Sequence, residues 1–293
     1  MNSRTATIGF FDGVHLGHQD LLTKVLQQAG KGNALVVTFS QHPATCLQPD
    51  FSEHNFRLTT NSERKALLNS FAGSAEFVSF NFSSIQSLRA VEFVKLLKEQ
   101  YGVGHLVLGY NSRFGSDMPE LEEYEKITHQ EGIGFSRIEP FCIDGVHVSS
   151  SRIRKALLAG DIEPANKMLG RPYVLTGTVE HGRGVGHELG FPTANLQVDA
   201  NKLVPQSGVY VAQTTIDGKT YKVMLNIGSN PTFDLGNRLF VEAHVLDFYG
   251  DLYSRMLSLE ILSFIRQERR FTSVNALQEQ IKLDRLHVQD YQF

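Results

Sequence analysis

The period of the hydrophobic pattern changes near residue 171, and this change restricts the chain to folds that join two different modules. Before it, short apolar runs alternate with segments whose apolar residues recur every three to four positions, which is typical of strands followed by helices. After it, short apolar and β-branched runs follow one another closely, as antiparallel strands do. Because 293 residues are enough for two domains, we expect one domain in residues 1–170 and another in residues 171–293.

The first half predicts an α/β domain. The predicted strands cover residues 6–11, 34–39, 76–80 and 105–109, and the predicted helices cover 19–28, 62–70 and 90–100. This alternation favours a Rossmann-like domain with a doubly wound parallel sheet. Two more helices, at 150–159 and 164–169, are expected to close this half because Gly160 and Gly170 follow them.

The second half predicts a small antiparallel β-barrel. Its predicted strands cover residues 173–179, 208–216, 220–227, 239–246 and 256–265. The dipeptide Asp217-Gly218 lies between two of them and is typical of a two-residue hairpin turn. An amphipathic segment at 273–287 predicts a terminal helix that covers the barrel.

Composition and charge limit the classes of partner. With 41% hydrophobic and 20% charged residues the chain is expected to be globular, and its net charge of −3 provides no general positive field for nucleic acid or an anionic membrane. Cys46 and Cys142 match neither a disulfide framework nor zinc-ligand spacing, which favours reduced thiols. No apolar stretch has the length of a signal peptide or a transmembrane helix. We therefore expect a cytoplasmic monomer or weak homo-oligomer that binds neither nucleic acid nor membrane.

A histidine motif follows the first predicted strand, in the string Phe11-Asp-Gly-Val-His-Leu-Gly-His18. His15 and His18 are three residues apart at the start of a predicted helix, so they share a face beside its free N–H groups. Gly13 and Gly17 lack side chains that would keep a phosphate from the backbone. The motif therefore predicts an anion site.

A second motif, Val148-Ser-Ser-Ser-Arg-Ile-Arg154, precedes another predicted helix. Ser149, Ser150 and Ser151 can cap that helix and donate hydroxyls to phosphate, and Arg154 supplies a forked cation.

Together these strings resemble the FAD synthetase domain of prokaryotic bifunctional riboflavin kinase/FAD synthetases, within the nucleotidylyltransferase superfamily. The resemblance implies that His15 and His18 contact ATP phosphates while a nucleotide oxygen attacks the α-phosphorus, with Arg154 as a third catalytic residue. It extends to Gly109-Tyr-Asn-Ser-Arg-Phe-Gly115, where Asn111 is expected to bind nucleotide. Such transfers are catalysed mainly by positioning and charge stabilisation.

The second half carries a glycine-rich run from Gly177 to Asn195. Gly177, Gly182 and Gly186 are predicted to let the backbone wrap nucleotide phosphates. The string Gly190-Phe-Pro-Thr-Ala-Asn-Leu196 resembles the riboflavin kinase signature, in which Thr193 and Asn195 would bind the Mg²⁺ that ATP carries.

A candidate general base follows in the string Phe240-Val-Glu-Ala-His-Val-Leu-Asp-Phe248. Glu242 matches the family's catalytic glutamate, which would take the proton of the riboflavin 5′-hydroxyl. Strand alternation places Glu242 and His244 on one face. Asn226 and Tyr253 lie in further family motifs and are expected to bind flavin.

The leading hypothesis is a two-step enzyme that converts riboflavin to FMN and FMN to FAD, using ATP in each step and releasing ADP and then pyrophosphate. One alternative is a riboflavin kinase with an impaired adenylyltransferase site, because Ser40, Gln41 and Ser112 depart from the family pattern and residues 116–120 are acidic. Another is a non-catalytic flavin-binding protein, which the presence of Thr193, Asn195 and Glu242 disfavours.

Overall fold

A computed structural model of the chain describes residues 3–30, 33–48, 51–52, 54–182, 190–229 and 239–292, and it shows a parallel sheet followed by antiparallel strands. The chain divides into two compact units. The first comprises the described residues of Met1–Glu53 and Arg57–Ser150, and the second those of His54–Phe56 and Ser151–Phe293. Cys46 and Cys142 are exposed free thiols.

The described residues of the first unit form a parallel sheet of five strands in the order β3-β2-β1-β4-β5. The strands are β1 (Arg4–Ile8), β2 (Ala34–Phe39), β3 (Glu76–Phe80), β4 (Val103–Gly109) and β5 (Gly134–Ile138), and the helices are α1 (Leu16–Ala29), α2 (Pro43–Leu47), α3 (Asn61–Ala72), α4 (Phe82–Ile85), α5 (Ala90–Tyr101) and α6 (Leu121–Gln130). A short ribbon of β6 (Cys142–Ile143) and β7 (Val146–His147) follows. The predicted α/β class is confirmed, although β5 and α6 were not predicted.

Helices cover both faces of this sheet. On one face Leu35 and Leu106 pack with Phe93 of α5, and on the other Val36 and Val107 pack with α1 and α3. Every residue of β2 is buried. A strand covered on both faces is apolar throughout rather than alternating, which explains the continuous apolar run in its sequence.

The sheet order reverses between β1 and β4. The chain proceeds from β1 outward to β2 and β3 on one side, and from β4 to β5 on the other. In open α/β sheets, ligands bind at the carboxyl ends of the strands beside such a reversal. The segment after β1 contains His15 and the turn after β4 contains Asn111.

In the second unit, strands β8 to β13 form a closed antiparallel barrel in the order β10-β11-β12-β9-β8-β13. The strands are β8 (Tyr173–Glu180), β9 (Ala194–Val198), β10 (Gly208–Ile216), β11 (Lys219–Ser229), β12 (Leu239–Val245) and β13 (Met256–Gln267). The Asp217-Gly218 hairpin is confirmed: Ile216 pairs with Lys219, and both turn residues have positive φ, 51° and 81°. Strand β9 was not predicted.

In the part of this half that the structure describes, three helices accompany the barrel: α7 (Ser150–Ala159), α8 (Ile162–Leu169) and α9 (Val274–Asp290). Gly160 and Gly170 follow the first two with φ of 81° and 73°, which confirms the predicted helix stops. The third packs Val288 against Val209, Val211 and other apolar residues on the outside of the barrel.

Candidate active sites

The predicted histidines form a stacked pair at the start of α1. His15 is the N-cap, and its Nδ1 accepts the backbone N–H of His18 at 3.3 Å. The two rings are 3.6 Å apart between centroids and inclined by 17°. His15 is only 5% exposed. The turn thus presents two imidazoles beside the helix N-terminus, where a negative charge is stabilised.

The turn that carries this pair is strained. Phe11 and Val14 have φ of 57° and 39°, although both have side chains, and Gly13 has φ of 82°. A non-glycine residue in this region costs roughly 1–3 kcal/mol. Strain of this kind persists where surrounding contacts impose it, and it is common at functional sites.

Two buried residues outside the predicted site set, Asp12 within this turn and Thr59, hold it by hydrogen bonds. The Asp12 carboxylate accepts the backbone N–H of Thr59, and the Thr59 hydroxyl accepts the N–H of Gly13. An aspartate beside a glycine in a strand-to-helix turn was the available signal in the sequence. It could not reveal Thr59, which lies far away along the chain.

Gly17 provides space for the first histidine. A Cβ at this position would lie 3.2 Å from Cε1 of His15 and 3.5 Å from the carbonyl oxygen of Val148. The first distance is closer than ordinary van der Waals contact, so a side chain here would press on the imidazole. Gly17 thus allows the histidine pair to form, and Gly13 allows the backbone bend.

The serine motif contacts the same turn. The Ser150 hydroxyl donates to the backbone carbonyl of Asp12 at 2.9 Å. Ser149 is half-buried and Ser151 is exposed. In the second unit, Arg154 donates from Nε to the carbonyl of Phe56 at 3.0 Å and lies 4.0 Å from the centre of that ring. Phosphate contacts of these residues stay predictions.

Acidic residues after Asn111 have partners within the protein. Asp117 accepts the N–H of Ala90 at 2.8 Å at the start of α5, and this bond lowers the pKa of its carboxyl. Glu120 lies 3.1 Å from a guanidinium nitrogen of Arg113. Asn111 itself is exposed in the turn after β4. Asp117 therefore caps the start of α5, and Glu120 forms an ion pair with Arg113.

Three residues predicted for the kinase lie side by side on the barrel. Asn195 of β9 pairs in register with Glu242 of β12, and Glu242 pairs with Asn226 of β11. Directly opposed residues on neighbouring strands share a face. All three are half-buried. Glu180 of β8 pairs with Asn195 and extends this row, although no motif in the sequence points to it.

A cavity of about 420 Å³ lies at the end of the barrel. Its lining includes Thr193 and Tyr253, together with apolar side chains of Val179 and Val245. The ring of Tyr253 stacks on His181 at 3.7 Å between centroids. The predicted metal ligand Thr193 and the aromatic ring of Tyr253 therefore line the same cavity.

His244 ties strand β12 to the threonine motif. It is 7% exposed, and its Nδ1 lies 2.8 Å from the carbonyl oxygen of Pro192. Because a carbonyl can only accept, Nδ1 carries the proton. Burial lowers the pKa of this imidazole, although the Pro192 carbonyl acts in the opposite direction. The imidazole thus links the strand of Glu242 to the segment that ends in Thr193.

The predicted glycines of the kinase half have different surroundings. A Cβ on Gly182 would overlap the side-chain amide of Asn195. Gly177 is buried within β8, where a Cβ would lie 2.6 Å from the carbonyl oxygen of Gln197. Close packing accounts for that glycine, and its contact with nucleotide stays a prediction. Gly186 lies outside the described residues.

Among the residues that the structure describes, His, Cys, Asp and Glu side chains form no group of three that could hold a metal ion. No helix in that part of the chain is long and apolar enough to cross a membrane.

Comparison with known proteins assigns both halves. The riboflavin kinase family model matches residues 169–292, and the FAD synthetase family model matches residues 1–152. The chain is 35% identical to the bifunctional riboflavin kinase/FMN adenylyltransferase of Pseudomonas fluorescens, over 95% of this chain and 90% of that protein. It is 32% identical to the protein of the same name in Listeria monocytogenes, over 96% and 90%.

Among solved structures, a protein from Streptococcus pneumoniae described as a macrolide-efflux protein superposes with a TM-score of 0.86 at 29% identity, and the match covers all of this chain and 96% of that one. The relatives share one name and extend over both halves in the predicted order. The chain therefore belongs to the bifunctional riboflavin kinase/FMN adenylyltransferase family.

Proposed function

We propose that the chain makes FAD from riboflavin in two ATP-dependent steps. The domain at 171–293 phosphorylates riboflavin to FMN and releases ADP, and the domain at 1–170 joins the adenylyl group of ATP to FMN and releases pyrophosphate. The observation that carries this proposal is that each matched family region holds a cluster of the predicted site residues: the stacked pair of His15 and His18, and the row of Asn195, Glu242 and Asn226.

In the kinase step, Glu242 takes the proton from the riboflavin 5′-hydroxyl as that oxygen bonds to the γ-phosphorus and the bond to the ADP oxygen breaks. Its place in the row next to Asn195 supports this role.

The oxygen donors of Thr193 and Asn195 fit Mg²⁺, which prefers hard oxygen ligands and keeps part of its shell for water and phosphate. The Asn195 amide lies beside Gly182, and Thr193 lines the cavity. When bound, Mg²⁺ would neutralise charge on the ATP phosphates. Gly177, Gly182 and Gly186 are proposed to contact the same nucleotide.

In the adenylylation step, a phosphate oxygen of FMN attacks the α-phosphorus of ATP and pyrophosphate leaves, without a covalent enzyme intermediate. His15 and His18, with Arg154, stabilise the negative charge that develops on the phosphates. The preformed stack beside the helix N-terminus supports this role for the histidines. The proposed nucleotide contacts are Gly13, Gly17, Asn111, Ser149, Ser150 and Ser151.

Flavin contacts are proposed at Asn226 and Tyr253. Asn226 is in register with Glu242, so a hydroxyl that reaches this carboxylate would bring the rest of the flavin close to Asn226. Tyr253 lines the cavity beside Thr193. A planar ring of a substrate would fit against the aromatic side of this cavity.

Tyr253→Ala tests which substrate ring contacts Tyr253. A rise in KM for riboflavin and not for ATP would assign the contact to the flavin ring. A rise in KM for ATP and not for riboflavin would assign it to adenine.

The function is tested by a time course with the full-length protein, riboflavin, ATP and Mg²⁺, followed by chromatography of the flavins. We expect FMN to appear first and FAD to follow. Accumulation of FMN without FAD would favour the alternative of an impaired adenylyltransferase, which Ser40 and Ser112 motivate. A flavin that stays unmodified would leave only the non-catalytic binding protein.

The assignment of steps to sites is tested by paired variants. Glu242→Gln is expected to suppress FMN formation by at least about 100-fold while FAD formation from supplied FMN continues. A double change of His15→Ala and His18→Ala is expected to do the reverse. Glu279→Gln and His129→Ala, at exposed positions on helices, serve as matched controls. Loss of both activities in each folded variant would contradict independent sites.

We further propose that the protein works in the cytoplasm as a monomer or weak homo-oligomer, without nucleic acid or membrane as partner. The net charge of −3 supports the absence of these two partners, since nucleic acid and anionic membranes are negatively charged. Gel filtration and salt-dependent binding to DNA or anionic vesicles test it.

A further inference from the structure

Asp12 and Thr59 form a buried polar cluster behind the paired histidines. The Asp12 carboxylate accepts the backbone N–H groups of Leu58 and Thr59, each at 3.0 Å. The Thr59 hydroxyl donates to the same carboxylate at 3.0 Å and accepts the N–H of Gly13 at 3.1 Å. Asp12 and Thr59 are each 3% exposed. We call these two residues and their mutual hydrogen bonds the Asp12–Thr59 clamp.

The clamp holds a turn whose backbone is unfavourable by itself. Phe11, Gly13 and Val14 have positive φ, and this region is disfavoured for aromatic and β-branched residues. Asp12 lies between Phe11 and Gly13, and Gly13 is bound through its own N–H. The clamp therefore fixes the backbone at the centre of the bend.

The same bend decides where the histidines lie. Val14 leads directly into His15, the N-cap of α1, whose ring stacks on His18 at 3.6 Å. If Gly13 and Val14 relaxed to negative φ, His15 would be redirected and the stack would be lost. Ser150 donates to the carbonyl of Asp12, so the serine motif meets the clamp as well.

We infer that Asp12 and Thr59 are positioning residues for nucleotidyl transfer, which hold the strained turn so that His15 and His18 form a preformed pair. The inference rests on the proposed adenylyltransferase function of the N-terminal domain. Preformed groups stabilise developing charge without reorganising during the reaction, and a displacement of about 1 Å lowers the rate by on the order of 100-fold.

Thr59→Val and Thr59→Ser in the full-length protein test the inference. Valine keeps the shape of threonine but cannot accept the Gly13 N–H, whereas serine keeps the hydroxyl. We expect Thr59→Val to lower kcat for FAD formation from FMN by about 10- to 100-fold, with a much smaller change in KM. Thr59→Ser is expected to stay near the original rate. FMN formation from riboflavin, in the same protein, should be unchanged in both variants.

Two results would overturn the inference. One is an unchanged kcat in Thr59→Val. The other is an equal loss in Thr59→Ser, which keeps the hydroxyl and would therefore show that the hydrogen bonds of this hydroxyl are not the cause. If Thr59→Val also loses FMN formation, Asp12→Asn takes its place. Its amide keeps one acceptor oxygen but replaces the other by an NH2 group, which cannot accept a backbone N–H. A selective loss of FAD formation therefore supports the inference, and an unchanged rate overturns it.

A spectroscopic readout separates failure of this inference from failure of the proposed function. Stacked rings shift each other's proton resonances, so NMR of His15 and His18 reports the pair without any turnover. If the original protein made no FAD, the proposed adenylylation would fail, and the spectra would decide the role of the clamp. Resonances that change in Thr59→Val and not in Thr59→Ser support it, and unchanged resonances in both overturn it.

Discussion

Gly17 and Gly182 lie so close to neighbouring side chains that a larger residue would have to displace those side chains. A Cβ on Gly17 would crowd the imidazole of His15, and a Cβ on Gly182 would overlap the amide of Asn195. Positive φ is the usual reason for a glycine in a loop, and it applies to Gly13. For Gly17 and Gly182 the reason is space, which a glycine-rich sequence does not disclose.

Replacement of these two glycines by alanine gives a matched pair of predictions. Gly182→Ala is expected to lower kcat/KM for FMN formation by about tenfold or more, because it displaces Asn195, and to leave FAD formation from supplied FMN unchanged. Gly17→Ala is expected to lower FAD formation and spare FMN formation. Chromatography of the flavins measures both. An unaffected FMN rate in Gly182→Ala would show that Asn195 does not depend on this space.

At the scale of elements, two acidic residues after β4 form contacts within the protein. Asp117 binds the first N–H of α5 from a separate loop, and Glu120 pairs with Arg113. In the sequence, this acidic segment is one of the departures that motivate the alternative of an impaired adenylyltransferase. The structure shows that these two carboxylates already have partners, which weakens that reason for expecting an impaired adenylyltransferase.

Removal of the α5 cap should lower stability. Asp117→Ala is expected to decrease the free energy of unfolding by about 1 kcal/mol near neutral pH, as the loss of other helix caps does. Since the Ala90 N–H holds the folded-state pKa of Asp117 below its unfolded value, this stabilisation is complete above the unfolded pKa of about 3.9. It disappears as pH falls through the lower folded-state value.

Urea denaturation of both proteins, near neutral pH and at pH about 3, measures the effect of this cap. Glu122→Ala, at an exposed position in α6, is the control and should change stability by no more than about 0.5 kcal/mol. A difference between the original protein and Asp117→Ala that grew towards acid pH would contradict the assigned sign.

At the scale of the whole chain, a buried ion pair holds its last helix to the barrel. Arg266 of β13 donates to both carboxylate oxygens of Asp284 in α9, and Gln280 donates to the same carboxylate. Asp284 is 3% exposed, and the side chain of Arg266 retains 20%. Because the Asp284 carboxylate is almost fully buried and Arg266 is largely buried, removal of one partner leaves the other as a poorly solvated charge.

Asp284→Ala is expected to lower the free energy of unfolding of the barrel unit by about 3 kcal/mol, the lower end of the cost of breaking a buried pair. Urea denaturation followed by circular dichroism and by loss of FMN formation measures it. Glu279→Ala is the matched control, because Glu279 is exposed on the same helix and pairs only on the surface with Lys282. Equal effects of the two changes would contradict the role of Asp284.

Sequence pattern was sufficient where the cause of a structure is local. The change of hydrophobic period, the Asp217-Gly218 turn and the stops at Gly160 and Gly170 depend on neighbouring residues, and each is confirmed. Strands β5 and β9 escaped prediction because they are short and contain polar residues, so pairing with adjacent strands defines them.

The histidine pair was predictable from the spacing of His15 and His18, but the groups that hold it were not. Asp12 and Thr59 meet only because β1 and the segment before α3 fold together, and Asn195, Glu242 and Asn226 meet only through the register of the barrel. Spacing along a chain determines which side chains share one helix or strand. Contacts between distant segments depend on how those elements pack, which only the tertiary structure decides.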